Sequence, residues 1–365
     1  MMTPEHDWNR LAWWQWAAPL GGAMLVGAKA GGLAAPGSAL FIVAAVALLG
    51  GAVFAAVHHA EVLAVRIGEP FGSILLALAI TTIEVGLIIA LMIAGAAGSD
   101  TVARDTVFSV VMIVLNGIVG LCLVMGSARH FEQAFRVQGA AAILSVIATL
   151  AIMAFVLPNV TRTTAGPTFA SSQLLFVDIA ALSLYALFVY VQTFRHREDF
   201  LIDDGATLHG APPTNRSTLI SALFLTVSLV VVILLAKALS PAVEAAVAQA
   251  GLPQTVVGVV IAMVVLLPEG LTAVKAARRN RLQTSLNASL GSALASIGLT
   301  IPIVGAVSLY LDVPLVLGLP PESTALLLLT LFISTITFAT GRTTILQGGV
   351  HLVIFGIFVL LTAVP

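Results

Sequence analysis

The chain reads as a series of long apolar runs separated by short polar breaks. Eleven runs stand out, roughly 12–33, 38–57, 72–95, 106–126, 138–157, 171–192, 218–239, 253–275, 285–309, 322–340 and 345–364. Most are about 20 residues long, the length at which a helix crosses the hydrocarbon core of a bilayer. The pattern predicts an all-α membrane protein of about eleven transmembrane helices. The longest polar break, TFRHREDFLIDDGATLHGAPPTNRS over 193–217, divides the chain. A first helix occupies 1–33, five spans follow over 34–192, and five more over 218–365 come after the linker.

Composition supports the same picture. Of 365 residues, 59% are hydrophobic and only 9% charged, against about 25% charged in soluble domains. That is too little polar surface to coat a water-exposed body of this size. The net charge of −1 gives no reason to expect a nucleic-acid partner or a basic membrane-surface tail. The single cysteine, Cys122, lies within an apolar run, which excludes disulfides and thiolate metal sites. All four tryptophans (Trp8, Trp13, Trp14, Trp16) cluster near the first run, as expected for the interfacial start of a span. Glu5 and Asp7 accompany Arg10 there, unlike the basic start of a cleaved signal.

Charge also orients the chain. With the N-terminus in the cytoplasm and eleven alternating spans, the inside receives 12 basic residues and the outside 4 (Lys29, Arg104, Arg162, Lys237), which accounts for all 16. Cytoplasmic loops favour Lys and Arg, so count and orientation support each other, and the C-terminus falls outside. Five spans per half is an odd number, so the second half lies inverted relative to the first, as in many secondary transporters.

Two isolated acids carry the candidate chemistry. Glu84 ends the apolar run GSILLALAITTIE and Glu269 the run VVGVVIAMVVLLPE, each with a glycine close behind. An acid at mid-membrane costs about 2.5–3.5 kcal/mol on insertion scales, and glutamate is too short to reach water from there. Paired carboxylates hold protons against their mutual repulsion, whereas a divalent cation stabilises both as anions. Metal and protons then compete for one site. Calcium takes six to eight oxygens; two glutamates offer four, and hydroxyls, water and freed carbonyls can add the rest. Pro268, beside Glu269, predicts an unwound turn or a kink. Thr81, Asn116, Pro268, Ser292 and Ser296 are candidate cavity-lining residues. His59, Glu61 and Glu69 form a candidate access path, with structural interface roles the competing reading. Asp178 sits seven residues inside its span with no obvious partner. No HExxH or GxxxxGK[ST] motif occurs, which disfavours a zinc protease and ATP-driven transport.

The run HHAEVLAVRIGEPFGSILLALAITTIEVGLIIALM resembles the first alpha-repeat of the calcium/cation exchanger superfamily. VVGVVIAMVVLLPEGLTAVKAARRNRLQTSLNASLGSALASIGLTIPIV resembles the second, and TGRTTILQGGVHLVIF the last span. The resemblance covers nearly the whole chain and is nearest to bacterial calcium/proton antiporters that also exchange sodium. It implies that Glu84 and Glu269 bind the cation and take up protons, that Ser292 lies on a cavity helix, and that Asn116 sits near the matching position of the first repeat. It implies a bacterial inner-membrane transporter, not an enzyme, with calcium, sodium or potassium and protons as cargo and no permanently bound cofactor. Many relatives carry GNAxE around each acid. Here AITTIE and VLLPEG lack the asparagine amides, which leaves a monovalent cation/proton antiporter open beside calcium. A gated cation channel is the alternative from another class.

Overall fold

The computed structural model describes residues 12–68, 71–94, 98–200 and 213–364. Eleven helices follow the eleven predicted runs: α1 Trp13–Ala30, α2 Ala39–Ile67, α3 Phe71–Ala94, α4 Val102–His130, α5 Val137–Asn159, α6 Ser171–Arg195, α7 Asn215–Gln249, α8 Thr255–Arg278, α9 Leu282–Leu311, α10 Pro321–Ala339 and α11 Ile345–Ala363. Among the described residues, ten are long and apolar enough to cross a membrane. The eleventh, α1, is an 18-residue helix, about 27 Å long at 1.5 Å per residue. Large apolar side chains such as Leu175, Phe176, Phe332, Leu346 and Val353 face outward. On a soluble protein they would form sticky patches; here they are the lipid-facing surface of a multi-pass membrane protein.

Two helices run far past their predicted ends, α2 to Ile67 rather than 57 and α7 to Gln249 rather than 239. α2 has 29 residues and α7 has 35. α2 starts where the Ser38 hydroxyl accepts from the Phe41 amide at 3.3 Å, a standard N-cap, and stops at Gly68, whose φ of 79° suits glycine. The fall in hydropathy at His58–His59 predicts an end near residue 57. The helix runs on because Ala60, Val62 and Leu63 continue its buried face.

The chain packs as two compact units. One comprises Met1–Ala90 with Asp203–Ala246, and the other Leu91–Ile202 with Val247–Pro365. In the first, small residues let helices close up. A methyl group on Gly22 of α1 would lie 2.5 Å from Val231 Cγ1 on α7, and one on Gly51 of α2 would lie 2.7 Å from Ala18 Cβ.

The second unit is built around α4 and α9. Of their most apolar windows 89% and 61% are buried, the two highest shares among the spans, so these helices form its centre. Its loops gather at two ends. At one, Gln133 donates to Ala277 O (2.8 Å) and Asn280 Oδ1 (3.1 Å), and Gln133–Ala134 pairs antiparallel with Arg342–Thr343. At the other, Val316 N donates to Asp100 O, Gly318 N to Pro167 O, and Asn159 Nδ2 to Leu319 O. Within this unit the loops assigned by alternation to one side are therefore bonded together. The described start of the linker also packs here: Asn287 Nδ2 donates to Phe200 O at 2.7 Å, which places Asn287 at a helix end.

Close packing makes one stability prediction. On Gly348 of α11 a methyl group would meet Val124 N at 2.7 Å and Gly120 O at 2.9 Å, both backbone atoms of α4. Gly348→Ala is expected to lower the melting temperature in detergent, at a cost of about 1–3 kcal/mol for overpacking. An unchanged melt would show that α11 shifts freely.

Candidate functional site

In the first unit, Glu84 is 3% exposed and Thr81, one turn before it, is 4% exposed. Residues three apart share a helix face, so both lie on the inward side of α3. Thr82 is exposed, and its hydroxyl donates to Leu78 O of its own helix at 2.7 Å. Two residues beyond the acid, Gly86 allows close approach of α7: a methyl group there would lie 2.3 Å from Ile233 Cδ1.

The proposed access path takes a different form. His59 is fully buried. Its Nδ1 lies 3.2 Å from Ser221 Oγ of α7, its Nε2 lies 3.2 Å from Gln15 O of α1, and its ring stacks on Phe224. A side chain so enclosed joins three helices and offers no mouth to water. Glu61 is half-buried on α2, and Glu69 lies outside the described residues.

In the second unit, Ser292 Oγ of α9 donates to Glu269 Oε2 of α8 at 2.5 Å, the short distance of a hydroxyl bonded to a carboxylate. Gly270 brings α8 against α4: a methyl group there would lie 3.3 Å from Ile118 Cδ1. Pro268 is buried, yet α8 stays helical from Thr255 to Arg278. The unwound turn is thus not present. What the proline does is withhold an N–H from the Val264 carbonyl, while its own carbonyl accepts from Thr272 Oγ1 at 3.0 Å.

The hydroxyls of Ser289, Ser292, Ser296 and Thr300 recur at helical spacing along α9. Ser289, Ser296 and Thr300 are buried, and Ser289 Oγ and Thr300 Oγ1 have no hydrogen-bond partner among the described residues. Residues Ser296–Thr300 form a π-helical segment. Ile113–Ile118 in α4 form another, and Asn116 lies in it. Single π turns within α-helices concentrate at functional sites.

Asn116 itself is committed elsewhere. Its Nδ2 donates to Thr330 Oγ1 of α10 at 2.9 Å, and its Oδ1 lies 3.1 Å from His351 Nδ1 of α11. His351 Nε2 lies 3.1 Å from Thr337 Oγ1. All four residues are buried. The amide thus ties α10 and α11 to the π segment. Since Asn116 Oδ1 can only accept, His351 carries its hydrogen on Nδ1 and accepts from Thr337. Sequence reasoning gave His351 no role, although an ionisable residue inside an apolar run is itself a signal. It also missed Asp105, whose Oδ1 lies 2.7 Å from Arg104 Nε; Arg104 Nη1 donates to Gly318 O at 3.2 Å, lacing one end of the unit.

This fold and these helix-borne acids belong to a recognisable class of membrane transporter. The chain belongs to the sodium/calcium exchanger protein family, whose model matches residues 37–194 and 220–364; it is a family of secondary cation exchangers. Among its relatives, the ionic transporter named y4hA of Sinorhizobium fredii is 51% identical over 356 residues, 96% of each chain. The sodium-potassium/proton antiporter ChaA of Escherichia coli is 34% identical over 327 residues, 88% of each chain. The fold is shared with native YfkE, at a TM-score of 0.74 and 17% identity over 96% of this chain and all of that one. It is shared too with the H+/Ca2+ exchanger CAX, at 0.68 and 18% over 95% and 87%.

Proposed function

We propose that the chain is a secondary antiporter of a bacterial inner membrane that exports calcium in exchange for protons, with Glu84 and Glu269 as the carboxylates that cation and protons occupy in turn. The observation that carries this reading is the Ser292–Glu269 hydrogen bond within two spanning helices, together with the burial of Glu84 in the middle of a third. A divalent cation neutralises two carboxylates, and so do two protons. Empty and doubly charged, the pair is costly to enclose away from water, so the loaded states are the ones that cross. That asymmetry makes the transport an exchange.

Two inverted five-helix repeats, over 34–192 and 218–365, supply one glutamate each. The reading is supported by the family model, which matches over 37–194 and again over 220–364, and by a π segment in the third helix of each half. The excess of basic residues in alternate loops supports a cytoplasmic N-terminus.

Export of sodium or potassium is the second reading. It is favoured by the 34% identical relative named as a sodium-potassium/proton antiporter and by the absence of asparagine amides beside either acid. The deciding experiment offers calcium, sodium and potassium in turn to acid-loaded vesicles containing the protein. Collapse of the pH gradient on addition of one of them identifies the cargo. Cation flux that leaves the gradient untouched would point to a channel and end the exchange reading.

Ser292→Ala removes the donor to Glu269. A hydrogen bond to a charged group contributes about 1.5–3 kcal/mol, so apparent cation affinity is expected to weaken by about tenfold to a hundredfold with the maximal rate largely kept. The cation dependence of gradient collapse measures it.

A further inference from the structure

We propose that Asp178 is a proton-binding site separate from Glu84 and Glu269, a carboxyl carried through the membrane domain as the neutral acid and in exchange with bulk water. The inference concerns a different side chain from the cation site and does not depend on the exchange reading.

Asp178 lies on α6, well inside its span, and is 5% exposed. Neither carboxyl oxygen has a hydrogen-bond partner among the described residues. Both oxygens sit in a notch made by Gly305 of α9, where a methyl group would lie 2.3 Å from Oδ2 and 2.6 Å from Oδ1. Seven residues away on each helix, Gly298 receives the Tyr185 ring in the same manner, a methyl group there falling 2.9 Å from Tyr185 Cδ2. The two helices therefore run antiparallel at close approach, and the missing side chain of Gly305 is what makes room for the carboxyl.

Among the described residues, the helical segments packed most closely on α6 hold no counter-charge. The segments packed against α6 include Val137–Ala151, Ser296–Thr300 and Ile301–Leu311. Their sequences, VQGAAAILSVIATLA, SIGLT and IPIVGAVSLYL, contain no Asp, Glu, Lys, Arg or His. Between Ser171 and Tyr190, Asp178 is the sole charged residue. The titratable groups on α6 and these segments include Tyr185, seven residues along α6, and Tyr310, five residues past Gly305 on α9 with its side chain outward, and Arg195 lies exposed at the far end of α6. An unpaired anion in such a place is expensive. One carboxylate supplies at most two of the six to eight oxygens that calcium takes, so a metal ion does not resolve the charge. A proton does, and it is the one ligand that fits the notch.

Infrared spectra of the full-length protein in lipid, recorded across pH in H2O and D2O, test the assignment. Wild type is expected to show a protonated-carboxyl C=O band that shifts in D2O and fades at alkaline pH. The band should persist in the Glu84→Gln/Glu269→Gln double variant and be lost when Asp178→Asn, whose amide has the shape of the neutral acid, is added to it. A band shared by the Glu84→Gln/Glu269→Gln double variant and a triple variant that adds Asp178→Asn overturns the proposal. So does one that is lost with Asp178 but never responds to pH or D2O, since that describes a sealed structural acid. The isotope shift of the Glu84→Gln/Glu269→Gln double variant is read with Asp178 in place, so a poorly folding Asp178→Asn does not leave the question open.

Discussion

Glu269→Gln is expected to abolish cation-driven collapse of the pH gradient in acid-loaded vesicles while leaving the protein folded. Glutamine has the shape of the protonated acid, and its amide oxygen can still accept from Ser292, so α8 and α9 lose little of their contact. What disappears is one of two negative charges facing a cation. Removing one partner of a buried charge pair costs about 3–5 kcal/mol, a loss of about two to four orders of magnitude in affinity. The variant also cannot take up and release a proton at this position. On the proposed exchange reading, Glu84→Gln should have the same consequence. Initial rates within twofold of wild type for either variant, at matched protein in the membrane, would remove that residue from the transport site.

Asn116→Ala should behave in the opposite way: stability falls sharply and cation preference does not change. The substitution takes the Asn116 acceptor from His351 Nδ1 and the amide donor from Thr330 Oγ1, which keeps Met112 Sδ as its acceptor, both in fully buried surroundings. Each lost hydrogen bond costs about 0.5–1.5 kcal/mol, and the side-chain cavity adds to that. A detergent melt should show a clear drop in midpoint, and whatever fraction survives in vesicles should keep the wild-type order of calcium, sodium and potassium. If the melt is unmoved and the ion order changes, Asn116 is a ligand after all.

The spans were legible because lipid imposes a single rule on the sequence, about 20 apolar residues per crossing, and helix ends fell within a few residues of the predicted breaks. The exceptions have a common cause. α2 continues through His59, and Asn116 ties α10 and α11 to α4, because each polar side chain finds its partners on helices distant in sequence. Ser221 is 162 positions from His59, and His351 is 235 from Asn116. Periodicity carries no trace of such pairings. The isolated acids were readable for the converse reason: their cost is local, so their presence alone demands explanation. Ser292 was readable through its spacing on α9, and only the packing of α8 against α9 reveals that its hydroxyl reaches Glu269. Pro268 shows the limit of local rules, for a helix held by neighbours on several sides stayed continuous where an isolated one would break.

The widened turns in α4 and α9 have a consequence for how this chain tolerates shortening. A π turn holds one residue more than the α turn it replaces. Deleting a residue from almost any spanning helix rotates everything beyond it by about 100° and scrambles its faces. Within Ser296–Thr300, loss of a single position would instead let the helix tighten to regular geometry, leaving Gly305 and the residues after it aimed as before. These stretches, like the π segments Ile152–Val156 of α5 and Val191–Arg195 of α6, are therefore where helix length can change by one without the residues downstream losing their register.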